Sequence, residues 1–422
     1  MTNESIGARA LRLTPQGAQT LSKRAAAFPV NYPTHIDYGQ GAWAMPSEAD
    51  KRVLDFIGGL GAISLGYLNR HVDQAVHAQL QRGVTFSLSS SIEPAACEML
   101  LSVLPWAEKV RFVKTGSEAC SGATRIARMF TGNDIIIAVG YHGWHDWYAS
   151  TREYAPGVPE QYKEVNVACD YNNIPQLSSL FQQYEGRVAA VILEPTLNER
   201  PHYQYLSNVI DLCHSNGALC IFDEMVCGFR WALGGGSEYF KLRPDLAVYG
   251  KGMANGFPIG AIVGPAPIID HAWVVSGTFG GEALSLAAMI ATIIVYQDEG
   301  VIAELWRKGT VFSDGVNERA ATIGVPVGMA GWPVHPVIRF DESEDRDQKI
   351  STYFFQELYK RQVLFHPSGG NIVYAMTDAD IDFALDAVEL SFMKVKEALE
   401  LGTIDQVLEG RVYGAHPIGR NG

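Results

Sequence analysis

The chain reads as an α/β protein, with one large domain on a mostly parallel sheet and a smaller α+β domain built from both termini. Short β-rich apolar runs alternate with helical runs from about residue 110 to 265. "DIIIAV" (134–139), "VAAVILEP" (188–195), "ALCIFDEM" (218–225) and "DLAVYGK" (245–251) are apolar along their whole length, the pattern of strands covered on both faces. Outside that region the alternation is lost.

Taken in order, residues 1–50 carry turns ("TPQG", "NYPTH") and little periodicity, and form the N-terminal part of the small domain. Residues 51–305 form the large domain. Its strand "VRFV" (110–113) runs into Thr115-Gly116-Ser117, where Ser117 is expected to cap a helix whose buried face is Cys120, Ala123, Ala127 and Phe130. Between two of the apolar runs, "LSNVIDLCHSNG" sets Val209, Ile210, Leu212 and Cys213 at near-helical spacing and stops at Asn216-Gly217. Strand, helix and strand in sequence imply a parallel pairing. "ALSLAAMIATIIVY" (283–296) is too short to span a bilayer and reads as a buried helix. Residues 306–422 complete the small domain with the helical "QKISTYFFQELYKRQ" and "ADIDFALDAVELSFMKVKEALE" and the strand "HPVIRF".

Composition narrows the function. The net charge is −13, so no basic excess exists to bind nucleic acid or an anionic membrane. The N-terminus lacks the apolar core of a secretory signal, and six cysteines show no CxxC pairing, which together imply reduced, mostly buried thiols in a cytoplasmic protein.

Three strand ends carry ionisable residues: Glu194, Asp223 and Lys251, spaced 29 (194 to 223) and 28 (223 to 251) residues apart. That is about one strand–helix–strand unit each, so equivalent ends deliver all three to the carboxyl edge of the sheet, where open α/β folds bind ligands. Lys251 stands between Gly250 and Gly252, which permit a sharp turn and close approach to the chain. Gly116 and Ser117 open a helix whose first N–H groups suit a phosphate. Tyr141, just past "DIIIAV", can lie flat on a planar ligand, while Trp144 and Trp147 are expected to pack on a cofactor or the core. His142, His145 and Asp146 show an HxxHD spacing, but without other clustered ligands no metal is assigned.

A phosphate seat, an aromatic platform, a buried carboxylate and a lysine fit pyridoxal 5′-phosphate. The Lys251 amine forms a Schiff base with its aldehyde, and Asp223 keeps the pyridine nitrogen protonated. Burial of Lys251 favours the neutral amine that this chemistry requires.

The motifs "FVKTGSEA", "YHGWHD", "LEP", "FDEMVCGFR", "PDLAVYGKGMANGFPIGAIVG" and "SGTFGGEALSLAA" together resemble the class III aminotransferases of fold type I, collinearly from about residue 12 to 390. Within them the chain is most similar to the glutamate-1-semialdehyde aminomutase-like branch. The resemblance implies that Lys251 carries the cofactor, Asp223 pairs with the pyridine nitrogen and Tyr141 stacks on the ring. It implies that Gly116 and Ser117 bind the phosphate, that Glu194 lies by the ring hydroxyl and that Met225 lies on the ring face opposite Tyr141. Thr278 would reach the phosphate in a partner subunit, which implies a homodimer acting on a small amine donor and a carbonyl acceptor.

Departures bear on the substrate. "FHPSGGNIVYAMTDADI" keeps Pro367-Ser368 but has Gly369, Gly370 and Asn371 where the aminomutases have a glutamate-containing segment. Thr20 and Lys23 stand where they have serine and arginine. "GAQTLSK" and "YHGWHDW" are more similar to members associated with surface-glycan or amino-sugar biosynthesis, which implies a sugar-type substrate. Transamination leads, with intramolecular aminomutation and decarboxylation served by the same constellation. Intact Lys251 and Asp223 argue against a non-catalytic scaffold.

Overall fold

The computed structural model describes residues 4–414. They divide into two compact units, one holding the described residues up to Asn69 and from Ala303 onward, the other Arg70–Ile302.

In the first unit, β1 (Ile36–Gln40), β2 (Trp43–Pro46) and β3 (Val53–Asp55) form an antiparallel run. In the second, β4 (Lys109–Val113), β5 (Ile135–Val139), β6 (Asn166–Ala168), β7 (Val188–Leu193), β8 (Leu219–Asp223), β9 (Leu246–Tyr249) and β10 (Gly260–Gly264) form one sheet, in the order β4-β10-β9-β8-β7-β5-β6. The first unit resumes with the antiparallel pair β11 (Val327–Trp332) and β12 (His335–Phe340), and with β13 (Val363–Leu364), which pairs parallel to β3.

That last pairing moves the expected boundary. The sequence put the large domain's start at residue 51, but β3 is held by β2 and β13, so the first unit continues to Asn69. Its later boundary falls at 302/303 rather than 305/306. The core of this unit is aromatic: Phe56, Phe312, Phe354, Phe355, Phe365 and Phe392 are almost fully buried, with Phe56 and Phe312 centroids 4.8 Å apart.

In the large unit every residue of β5, β7, β8, β9 and β10 is buried. β10 runs antiparallel to both β4 and β9, so the sheet is mixed at that point. Since β4 and β9 are both antiparallel to β10, and β5 through β9 pair parallel, all the other strands present their carboxyl ends at one edge. The helix Tyr205–Ser215 ends at Asn216, with Gly217 in the left-handed region at φ +67°. The helix Ala283–Glu299 is largely buried, and no single helix among the described residues is long and apolar enough to cross a membrane.

Candidate active site

The helix Gly116–Thr131 follows β4, and its start differs from the expectation. Thr115, not Ser117, is the cap: its hydroxyl accepts from Glu118 N–H, and the Glu118 carboxylate accepts from Thr115 N–H at 3.0 Å. Ser117 therefore sits inside the first turn, with its hydroxyl available to loop 140–146. Cys120, Ala123 and Ala127 are buried as expected, but Phe130 is 42% exposed, and Ala119 and Ile126 complete the inner face.

Loop 140–146 leaves the end of β5 and folds onto that first turn. Trp144 N–H reaches Ser117 Oγ at 3.4 Å, and a Cβ on Gly143 would lie 2.2 Å from the same oxygen. Only glycine allows this approach. Tyr141 is half-exposed, stands edge-on to Tyr148 and donates its backbone N–H to Glu194 Oε1 at 2.8 Å. Glu194 follows β7, so that bond joins two neighbouring strand ends. Trp147 is buried and donates to Ser121 Oγ, whereas Trp144 is 74% exposed and packs in no core.

Asp223 closes β8 and is 2% exposed. Its Oδ1 accepts Met225 N–H at 3.1 Å, and its Oδ2 meets His142 Nδ1 at 2.8 Å and the Cys120 thiol at 3.3 Å. His142 Nε2 lies 3.1 Å from the Val139 carbonyl, which can only accept, so Nε2 carries hydrogen. Burial, and then the Asp223 charge, push the Cys120 thiol well up, which keeps it a hydrogen-bond donor. His142 and His145 do not converge: His145 Nδ1 faces Ser121 Oγ at 2.7 Å.

Lys251 follows β9 through Gly250 and adopts φ +47°, a left-handed conformation rare for lysine. Strain of this kind persists where the surroundings over-determine it, and it concentrates at functional sites. Met225 links this corner to the first turn of the helix Gly116–Thr131. A Cβ on Gly250 would meet its Sδ at 2.7 Å, and a Cβ on Gly116 would meet it at 2.9 Å. The Lys251 charge also reaches Cys120. Lys251, Asp223, Met225, Glu194, Tyr141, Gly116 and Ser117 are thus tied together at the carboxyl edge of one sheet. Thr278 lies on an exposed turn of the same unit.

These residues fit pyridoxal 5′-phosphate. Glycines at 116, 143 and 250 let Met225 and Ser117 pack directly against the backbone, and the buried acceptor Asp223 ends the strand beside the one that leads to Lys251. The sequence had singled out His142 only as part of a metal-like spacing, and Cys120 only as a core position. Their placement next to Tyr141 and on the helix that opens at Gly116 was the signal that could have found them.

Residues 26–388 match the family model described as aminotransferase class III. The 3-aminobutyryl-CoA aminotransferase of Cloacimonas acidaminovorans is 31% identical over 407 residues, covering 94% of this chain and 97% of its own. The glutamate-1-semialdehyde 2,1-aminomutase of Syntrophobacter fumaroxidans is 30% identical over 417 residues, covering 92% and 96%. Among solved structures, the FumI protein of Sphingopyxis sp. MTA144, in its PLP internal aldimine form, matches with a TM-score of 0.89 at 26% identity. That match covers 94% of this chain and 96% of the other.

Proposed function

As the chain belongs to the class III aminotransferase family, whose members use pyridoxal 5′-phosphate, we propose that it moves an amino group from a small amine or amino acid to a separate carbonyl compound. The observation that supports this reading is that Asp223 ends β8 and Lys251 follows β9, its parallel neighbour, with Met225 packed against both Gly250 and Gly116 at the helix start.

Bound pyridoxal 5′-phosphate supplies an aldehyde for amine exchange and a ring that takes up electron density as a substrate bond breaks. Lys251 would hold it through Nζ, and its freed amine would remove and return the substrate's α-proton. Asp223 holds a proton at the ring nitrogen, and His142 and Cys120 orient its carboxylate for that task. Tyr141 and Met225 would confine the ring between them. Glu194 would lie by the ring hydroxyl, and its acceptance of the Tyr141 N–H ties the two strand ends together. Gly116 and Ser117 bind the phosphate at the helix start. Thr278 of each protomer would reach the phosphate held by the other in a homodimer, and the chain's six free thiols suit a reducing compartment, the cytoplasm.

Transfer to a second substrate is favoured by the segment after Pro367-Ser368. It has no carboxylate before Asp378, and Asn371 is committed to structure: Nδ2 donates to the Ile57 carbonyl and Oδ1 faces His335 Nδ1, each at 3.0 Å. The alternative, intramolecular aminomutation, is supported by the 30% identical aminomutase.

The test is the near-ultraviolet and visible spectrum of wild type and Lys251→Ala, before and after adding amine donors. Wild type is expected to show the band of lysine-bound cofactor, bleached by a donor and restored only by a second, carbonyl compound, sugar ketones among those screened. Turnover with no second substrate would select the aminomutase instead. No lysine-bound band even with added cofactor would overturn both.

A further inference from the structure

Lys114 stands between the end of β4 and the Thr115 cap, yet its side chain turns inward and is only 18% exposed. Its Nζ lies 2.7 Å from Glu282 Oε1, 3.1 Å from Ser285 Oγ and 3.0 Å from the Pro258 carbonyl. An ammonium has three N–H donors, and here each has a partner. Lys114 also donates its backbone N–H to Glu118 Oε2 at 2.8 Å, within the capping box of the phosphate-seat helix.

The partners belong to separate segments. Glu282 closes the turn that carries Thr278 and caps the helix Ala283–Glu299 through the N–H groups of Leu284 and Ser285, at 2.8 and 3.0 Å. Its side chain is 10% exposed. Burial works against its ionisation, but hydrogen bonds from Lys114 and Ser285 hold the carboxyl below its ordinary value. Pro258 lies on the loop from Lys251 into β10. One largely buried cation thus holds the start of the phosphate-seat helix, the Thr278 turn and the loop leaving Lys251.

We infer that Lys114 is a positioning residue for cofactor retention: it touches none of the groups that meet the cofactor, but it fixes the spacing of the three segments that carry them. This rests on the reading of Lys251, Gly116, Ser117 and Thr278 as cofactor-binding residues. Without the tether each segment is free to relax separately, and binding must then order them at a cost in affinity.

The experiment compares apo forms of wild type, Lys114→Met, Glu282→Gln and the double variant, titrated with pyridoxal 5′-phosphate by equilibrium dialysis. Circular dichroism and thermal unfolding of each apo form are recorded alongside. Each single variant is expected to raise the cofactor Kd roughly tenfold, the scale of losing a charge-assisted hydrogen bond. The double variant should be little worse than either single one, because both remove the same interaction. A folded Lys114→Met whose Kd stays within about twofold of wild type overturns the inference; a tenfold effect is the scale of one such bond. If Lys114→Met does not fold, Ser285→Ala, which removes one hydroxyl from the same cluster, is measured in its place, and an unchanged Kd there is equally contrary. Wild type that fails to bind the cofactor at all sinks the functional reading, an outcome distinct from a variant that binds as wild type does.

Discussion

A methyl group on Gly143 would stand 2.2 Å from Ser117 Oγ and 3.0 Å from Ser117 Cα, on a backbone at φ +101°. Gly143→Ala is therefore expected to displace the first turn of the phosphate-seat helix, weaken cofactor binding and destabilise the fold by about 1–3 kcal/mol. Gly157→Ala is the control. Its φ of +80° is also unfavourable, but nothing lies within 4 Å of the added carbon, so cofactor affinity should hold while stability falls slightly. Dialysis and thermal unfolding of both variants check this. Asp223→Asn tests a different group. It replaces a buried carboxylate that meets His142 and Cys120 by a neutral amide, and transamination at saturating cofactor is expected to fall at least about a hundredfold. A variant retaining near wild-type turnover would remove Asp223 from the chemistry.

At the level of elements, the helix Gly116–Thr131 begins with the reciprocal Thr115–Glu118 bonds. Thr115→Ala should cost about 1 kcal/mol, and Ser117→Ala less, because Ser117 caps nothing. Chemical denaturation of the two variants compares them directly. The Thr-x-x-Glu pattern is present in "TGSE", so the true cap was readable two positions before Ser117. The strands bearing Glu194, Asp223 and Lys251 were legible because full burial makes them uniformly apolar. The antiparallel course of β10 was readable in principle: only ten residues separate Tyr249, the end of β9, from Gly260, too few for a parallel crossover. β6, with three residues at the sheet edge, carries too little pattern to be seen. β3 misled the boundary because its partner β13 lies some 300 residues away, a pairing that no local periodicity encodes. The His142–Asp223 contact spans 81 residues and was hidden for the same reason.

For the molecule as a whole, Glu224 shapes the pH dependence. It is fully buried beside Asp223, and burial pushes its carboxyl up to about 7, although it accepts from the N–H groups of Gly236 and Ser237 and from the Cys227 thiol. The folded chain thus holds this proton more tightly than the unfolded chain does. The associated stability is present in full below the ordinary glutamate value near 4.5 and is lost as the pH rises through about 7. That loss is on the order of 3 kcal/mol. Glu224→Gln should lower stability outright, since an amide cannot accept all three donors, yet flatten the decline between pH 5 and 8. Thermal unfolding across that range reads the slope, and an unchanged slope would assign it elsewhere.

The most direct measurement on the whole protein is borohydride reduction of the cofactor-loaded enzyme, followed by proteolysis and mass spectrometry. A pyridoxyl adduct on the peptide containing Lys251, absent from Lys251→Ala, is the expected result. An adduct confined to another lysine, or none on wild type loaded with cofactor, would contradict the assignment of Lys251 as the residue that holds the cofactor.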